Sequence, residues 1–308
     1  MGGRHRPALA AVTALLTAAA GVGFAIVAFR TGDGPPPAVA TAIGRIAFAS
    51  IIGVHWQIVT VDPDGSAMTP LTDLPTDQFH PAWSPDGTRV AFDAQGDGGE
   101  MQIDVVDVDG SNLRTLTDGP GWNYLPAWSP DGTRIAFVSS RDGNDEIYVM
   151  NADGTGQERL TTNKDEDLSP SWAPDGTRIA FQSNREDFNR IYVLDVDSSG
   201  PFALTHAESV DPAWSPDGAA IAFAGSEDGN PEIYVMTMED SSVTRLTHDP
   251  SADWNPSWSP DGSKILFESD RGGDVGVYVM NADGTDVHLL VDVQACCPTW
   301  QPIPSGEA

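Results

Sequence analysis

Short apolar runs alternate with polar turn clusters at a steady rhythm from residue 43 to residue 302. Two runs are typical, Arg-Ile-Ala-Phe at residues 134–137 and Ile-Tyr-Val-Met at residues 147–150. Each is too short for a helix, rich in β-branched and aromatic residues, and apolar at consecutive positions rather than at every second one. This pattern predicts β-strands that are covered on both faces.

A longer unit repeats around these runs. Pro-Ala-Trp-Ser-Pro-Asp-Gly begins at Pro81, Pro126 and Pro212, and variants begin at Pro170 and Pro256. A degenerate copy begins at Pro298. The tryptophans of the six copies lie 42–45 residues apart, which is the length of one four-stranded propeller blade. They are Trp83, Trp128, Trp172, Trp214, Trp258 and Trp300.

Each unit predicts four strands. The first carries Pro-x-Trp and ends at a Ser-Pro-Asp-Gly turn, the second is Arg-Ile-Ala-Phe, the third is Ile-Tyr-Val-Met, and the fourth is Arg-Leu-Thr, as at residues 159–161. The tryptophans and turn aspartates recur in almost every unit, so we interpret them as structural. The arginine that opens the second strand is also interpreted as structural, paired with a neighbouring turn.

The order of the repeats predicts how the ring closes. A second-strand motif already stands at residues 44–48, before any Pro-x-Trp, whereas the sixth Pro-x-Trp, with Trp300, comes last. The first blade therefore takes its inner strand from the C-terminus, which removes the free edge. We predict an all-β, six-bladed propeller over residues 43–302, followed by a tail at residues 303–308.

The N-terminus predicts a membrane segment. Residues 7–29 carry no charge and follow Arg4 and Arg6, and a helix of that length crosses a bilayer. We predict one transmembrane helix within residues 1–30, a Pro-rich tether at residues 31–42, and a propeller outside the cytoplasm, periplasmic or extracellular. The alternative is a cleaved signal that releases a secreted form.

Charge and cysteine content narrow the partners. The net charge of −29 is the wrong sign for neutralising phosphates, so we expect no nucleic-acid partner. Cys296 and Cys297 are the two cysteines and are adjacent, so they predict either buried thiols or a vicinal disulfide rather than a disulfide framework.

The Pro-x-Trp-Ser-Pro-Asp-Gly, Arg-Ile-Ala-Phe, Ile-Tyr-Val-Met and Arg-Leu-Thr strings resemble the TolB-type β-propeller family over residues 43–302. The resemblance implies a six-bladed propeller in an exported protein. TolB itself is a periplasmic component of the Tol–Pal envelope system and binds other proteins. Residues 31–42 are too few for the additional N-terminal domain of TolB, so the resemblance concerns the propeller.

Function is sought where the repeats differ, because identical positions serve the scaffold. Residues just before each Pro-x-Trp are expected to ring the channel mouth, flanked by the loops between second and third strands. The predicted binding residues are His80, Tyr124, Asp167, Asp211, Asp253, Trp254, Asn255, Arg141, Arg185 and Arg271. The alternative is a solvent-filled channel that holds no ligand.

Motifs of known chemistry are missing from the sequence. It has neither a Gly-x-Ser-x-Gly elbow nor a His-Glu-x-x-His pair, and the Asp-Gly turns fail the calcium-loop pattern. We therefore predict no cofactor and no metal, although a site of His80 with Asp211 or Asp253 across the channel is an alternative.

The predicted function is a monomeric, membrane-anchored module that binds a protein or cell-envelope component, rather than an enzyme. One alternative is a polysaccharide lyase or a glycosidase-like enzyme that uses two of Asp167, Asp211 and Asp253 in the channel. Another alternative is an extracellular sensor domain.

Overall fold

The computed structural model describes residues 44–303 except 97, 198, 199 and 228, and this part of the chain forms twenty-four β-strands. The predicted transmembrane helix and tether lie outside the described residues. Within the described residues, no helix is long and apolar enough to cross a membrane.

The strands fall into four classes by their position in a blade. The inner strands are β4 (Gln78–Trp83), β8 (Asn123–Trp128), β12 (Asp167–Trp172), β16 (Ser209–Trp214), β20 (Asp253–Trp258) and β24 (Ala295–Trp300). The second strands are β1 (Ile46–Ile52), β5 (Arg89–Gln95), β9 (Arg134–Ser139), β13 (Arg178–Ser183), β17 (Ala220–Gly225) and β21 (Lys264–Ser269).

The outer half of each blade follows the same plan. The third strands are β2 (His55–Val61), β6 (Met101–Asp107), β10 (Glu146–Asn151), β14 (Arg190–Asp195), β18 (Glu232–Thr237) and β22 (Gly276–Asn281). The fourth strands are β3 (Thr69–Pro70), β7 (Arg114–Thr115), β11 (Glu158–Arg159), β15 (Phe202–Ala203), β19 (Val243–Arg245) and β23 (His288–Val291).

These strands build six antiparallel four-stranded sheets, one for each blade. Five blades use four consecutive strands, and the first has the order β24-β1-β2-β3. The inner strands contact one another in a closed ring, β4 to β8, β12, β16, β20, β24 and back to β4. The prediction of a six-bladed propeller is thereby confirmed.

The C-terminal strand closes the ring as predicted. Ile46 of β1 pairs with Trp300 of β24, and Ser50 pairs with Ala295. Gln301 continues the closure, because its Oε1 accepts the Arg45 N–H at 3.0 Å and its Nε2 donates to the Gly87 carbonyl at 2.9 Å. A single side chain thus ties the first blade to the first Ser-Pro-Asp-Gly turn.

The core consists of apolar layers between neighbouring blades. Phe92, Phe137 and Phe181 of the second strands are fully buried. The opening arginines of these strands stack on the tryptophan of the next blade, with Arg89 4.7 Å from the ring centroid of Trp128. The predicted pairing with a turn occurs in two blades, where Arg45 lies 3.2 Å from Asp62 and Arg178 lies 3.3 Å from Asp175. The stacking on tryptophan, which was not predicted, recurs in three blades.

The fourth strands are shorter than predicted. In the third blade the strand ends at Arg159, so the Leu-Thr of the motif lies beyond it. Thr161 Oγ1 accepts the Ile147 N–H at 2.9 Å, and the equivalent threonine does the same in four other blades. A side-chain oxygen therefore satisfies a backbone donor that a longer strand would have paired.

Candidate binding site at the channel mouth

The inner strands carry a bulge at the position that precedes proline. The six residues there have positive φ values of 47–61°, and the pairing with the second strand shifts register at the same point, as between Phe79 and Ala82. A residue before proline normally adopts an extended conformation, so this left-handed backbone is unusual. The six residues are His80, Leu125, Ser169, Asp211, Asn255 and Cys297.

The bulge brings side chains of neighbouring blades into contact around the axis. Ser169 Oγ donates to Asp211 Oδ1 at 3.2 Å, although the two residues lie on different blades. The Asn255 N–H lies on the next inner strand and helps to lower the pKa of the Asp211 carboxyl. Because all six positions sit on the closed ring of inner strands, they line the central channel.

A charged pair occupies the second blade. His80 Nδ1 lies 2.8 Å from Asp93 Oδ1, and the same carboxylate oxygen accepts the Leu125 N–H at 3.1 Å. Burial opposes a charge on the imidazole, but Asp93, together with Cys297, outweighs it and raises the pKa of His80 well above its usual value. The Asp93 carboxylate therefore favours the imidazolium form of His80.

A second carboxylate belongs to the sixth blade. Glu268 Oε1 accepts Asn255 Nδ2 at 2.5 Å and the Cys297 N–H at 2.6 Å. Burial is the largest influence on this carboxyl and raises its pKa to about 7, with the Asp211 carboxylate adding to the effect. Burial also raises the pKa of Asp211. Of these two carboxyls, Glu268 therefore has a pKa near neutral pH.

Three of these channel residues were not found by sequence reasoning. Asp93, Gln182 and Glu268 occupy the same place in three second strands and accept the backbone N–H of the bulge residue in the next blade. The equivalent residues of the other blades are apolar, Ala49, Val138 and Ala224. The signal was present in the sequence as a polar residue inside an otherwise apolar strand in every second blade.

Of the predicted residues, the structure brings His80, Asp211 and Asn255 together in the channel. Tyr124 precedes the bulge of its strand and is half-buried, and burial followed by its hydrogen bond to Asp145 raises the pKa of its hydroxyl. Trp254 pairs with Glu268 in the sheet register and is half-buried. Ligand binding by these residues stays a prediction.

The remaining predicted residues form ion pairs or hydrogen bonds inside the blades. Arg185 Nη2 contacts both oxygens of Asp167 at 2.9 Å, and Arg271 Nη2 contacts both oxygens of Asp253 at 2.9 and 2.7 Å. Both carboxylates are fully buried. Asp167 and Asp253 begin their inner strands, but each carboxylate is enclosed and already bound to an arginine. Ligand binding by these residues stays a prediction.

Arg141 follows the same plan in the third blade. Its Nη2 donates to Asn123 Oδ1 at 2.8 Å, and its guanidinium stacks on Tyr148 at 4.8 Å. Spacing along the chain placed these arginines in the loops correctly, but it did not reveal that they fold back on their own blade.

A metal site is not evident in the described part of the chain. Among residues 44–303 as described, no group of three or more His, Cys, Asp or Glu side chains is arranged to hold an ion. His80 is instead engaged with Asp93.

The repeat strings and the six-bladed ring are matched by one known family. The sequence matches the TolB beta propeller domain over residues 41–211 and 202–302. The chain belongs to this family. No curated protein matches the sequence.

Solved structures of similar shape include two TolB proteins. TolB from Acinetobacter baumannii is 24% identical with a TM-score of 0.73, over 84% of this chain and 67% of that one. A putative TolB from Agrobacterium tumefaciens is 24% identical with a TM-score of 0.68, over 86% of this chain and all of that one. Hydrazine synthase from Kuenenia stuttgartiensis is 17% identical with a TM-score of 0.72, over 85% of this chain and 47% of that one. At these identities the likeness shows the fold alone.

Proposed function

We propose that this TolB-type propeller is a membrane-anchored, extracytoplasmic module that binds a protein or another envelope component through its loop face. The loop face is the end of the propeller where the inner strands begin and the second strands turn into the third strands. The pairing of Gln78 with Ala94, and of Gln95 with Met101, places these two connections at the same end of a blade.

The observation that carries the proposal is exposed apolar surface on this face. Val54, in the turn between β1 and β2, is 77% exposed, and Trp122, just before β8, is 41% exposed. Exposed large apolar side chains contribute little to the core, and where they cluster with other apolar groups they form contact surfaces. Trp56 and Phe79, with ring centroids 5.5 Å apart, extend the apolar character toward the channel.

The aromatic rings Trp56 and Phe79 lead from the loop face to the His80–Asp93 pair in the channel. Phe79 lies 6.1 Å from the His80 ring, which is held by Asp93. A partner segment that follows this path meets aromatic rings first and paired polar groups afterwards. The net charge of −29 further favours a partner surface with an excess of cations.

The two ends of the described chain meet at the end of the propeller opposite the loop face. Gly44 lies against Gln301, and the Gln301 side chain binds Gly87 of a Ser-Pro-Asp-Gly turn. These turns stand at the end of the blades opposite the loop face. Gly44, the first described residue, therefore lies at the end of the propeller away from the proposed contact surface.

Site-directed photocrosslinking in native membranes tests the proposal. The full chain carries a photoreactive amino acid at Val54 or Trp122, with Val108, which is 42% exposed in a turn at the opposite end, as the matched control. We expect adducts from the loop-face positions and none from Val108. Equal labelling from all three, or none from any, contradicts the proposal.

One observation favours an enzyme as the second candidate. The pKa of Glu268 is raised to about 7, and a carboxyl with this pKa is able to donate a proton at neutral pH. After burial, the nearby Asp211 carboxylate contributes to the raised pKa. Two such carboxyls are the minimum for glycoside cleavage. Turnover of an acidic polysaccharide that disappears in Glu268→Gln would favour this candidate, and unchanged turnover in that variant would exclude this site.

A further inference from the structure

The two cysteines lie side by side in the wall of the channel. Successive side chains of a strand normally point to opposite faces. The left-handed backbone of Cys297, with φ of 61°, breaks this alternation, and its Sγ lies 2.9 Å from Cys296 Sγ. Both are thiols in the structure, with Cys296 buried and Cys297 partly exposed.

A charged relay adjoins Cys297 on the other side. The His80 imidazole is near enough to Cys297 for its charge to favour the thiolate of that side chain. Its Nδ1 faces Asp93 at 2.8 Å, and Asp93 is anchored by the Leu125 N–H. Asp93 therefore fixes the position of an imidazole near the thiol, and a neighbouring imidazole activates the nucleophile in cysteine chemistry.

The surroundings of Cys297 act against one another. The hydrogen bond to Cys296 is the largest influence and raises the pKa of the Cys297 thiol, burial raises it further, and His80 lowers it. The hydrogen bond from Cys297 lowers the pKa of Cys296, but burial, Glu268 and Asp93 together raise it above its usual value. Among the groups acting on Cys297, the imidazolium alone favours the thiolate, so reactivity of Cys297 depends on His80.

We propose that Cys296 and Cys297 are a reactive dithiol that exchanges with low-molecular-weight disulfides in the channel, with His80 and Asp93 as positioning residues. The Cys297 thiolate attacks one sulfur of R–S–S–R, forms a mixed disulfide, and releases RS⁻, which takes up the proton lost by Cys297. Cys296 then loses its proton and attacks the Cys297 sulfur, releasing the second RSH. The dithiol is oxidised to a vicinal disulfide, and one small disulfide is reduced to two thiols.

The product is expected to be readily reversible. Adjacent Cα atoms lie about 3.8 Å apart across a trans peptide, which is shorter than the usual separation of disulfide-bonded cysteines, about 4.4–6.8 Å. The strain of the vicinal disulfide makes it easier to reduce than a structural disulfide. The site therefore suits reversible exchange rather than permanent cross-linking.

Intact mass spectrometry of the full chain tests the proposal. Reduced protein freed of reductant is incubated with oxidised glutathione, and the mass is followed with time. We expect a monomer lighter by two hydrogen atoms and no lasting adduct. An unchanged mass, or a stable glutathione adduct on the wild-type chain, would overturn it.

Variants separate the roles of the two sulfurs. Cys296→Ala should accumulate the glutathione adduct, because no second thiol resolves it. Cys297→Ala should stay unmodified, because Cys296 is buried. Phenylarsine oxide gives a second readout, since one molecule bridges two neighbouring thiols: we expect one per wild-type chain and none per Cys296→Ala chain. Absence of binding to the wild-type chain counts against the dithiol.

The role of the imidazole is measured as a rate. Alkylation of Cys297 by iodoacetamide is compared in the Cys296→Ala background with and without His80→Gln. We expect the rate to fall about tenfold, the change in thiolate fraction for one pKa unit. His248→Gln, which alters an exposed histidine outside the channel, serves as the matched control. Equal rates with and without His80, in variants that keep the wild-type melting temperature, would refute the positioning role.

Discussion

Arg271→Met tests whether the buried arginine pairs belong to the scaffold. Arg271 binds both oxygens of Asp253, donates to Ser269 Oγ at 2.8 Å, and stacks on Tyr278 at 5.0 Å. Asp253 is fully buried and Arg271 is 18% exposed, so solvent screens this pair weakly. Removing one partner of such a pair destabilises a protein by about 3–5 kcal/mol.

The third blade supplies a matched control for this variant. Arg141 makes the same serine contact and aromatic stack, but its partner in place of the aspartate is Asn123, which carries no charge. Arg141→Met therefore loses hydrogen bonds and stacking without leaving a buried charge, and we expect a destabilisation of about 1–3 kcal/mol. The difference between the two variants isolates the unpaired carboxylate.

Urea unfolding at several pH values is the assay. Burial raises the pKa of Asp253 even in the wild type, and loss of Arg271 raises it further. A raised folded-state pKa means that protonation favours the folded chain, so the deficit of Arg271→Met should shrink as pH falls, whereas that of Arg141→Met should not. Equal deficits for the two variants, both independent of pH, would refute the reasoning.

Three further predictions concern single side chains. Burial raises the pKa of Asp104, and its Oδ1 has no hydrogen-bond partner in the described structure. We expect Asp104→Asn to increase the free energy of unfolding in urea by about 1 kcal/mol at pH 7 and by less near pH 4, where the wild-type carboxyl is partly protonated. A decrease at pH 7 would contradict this prediction. The pKa of Glu268 is about 7 in the folded chain, so the wild type should gain up to about 3 kcal/mol in free energy of unfolding as the pH falls from about 8 to 4.5. Glu268→Gln should remove this gain. An unchanged dependence on pH in the variant counts against a raised pKa. Gln301→Ala should lower stability by about 1–3 kcal/mol through two lost closure bonds, against no change for Gln95→Ala, an exposed glutamine; equal stability of both variants would show that the bonds contribute nothing.

The fold was predictable because its signals are local and repeated. Each Pro-x-Trp and each Ser-Pro-Asp-Gly turn marks a strand end by itself, and the early position of residues 44–48 was enough to predict closure by Trp300. The length of the fourth strand was not predictable in the same way. Its Leu-Thr looks like strand, but the Thr161 hydroxyl takes over a backbone acceptor's role, which only the three-dimensional register reveals.

The candidate site was predictable only in part. Counting residues before proline identified the bulge positions, including His80 and Asp211. The hydrogen-bond acceptors Asp93 and Glu268 lie inside second strands. Their neighbours along the strand are apolar, so the sequence pattern predicts a buried strand and does not single them out as channel residues. Arg271 belongs to a loop at the mouth, but its long side chain folds back and binds the buried carboxylate of Asp253. The position of the loop alone does not predict this contact.

The alternation of polar and apolar residues makes the channel asymmetric. A propeller of identical blades would present the same surface six times, and a ligand on the axis would have no preferred rotation. Here two hydrogen-bonded pairs, His80 with Asp93 and the Cys297 N–H with Glu268, involve bulge residues of the adjacent inner strands β4 and β24. The third blade contributes apolar Leu125 to the ring of bulge residues. The other bulge residues are Ser169, Asp211 and Asn255, so a ligand entering along the axis meets a different side chain at each blade. A partner segment with matching chemistry therefore fits in a single orientation.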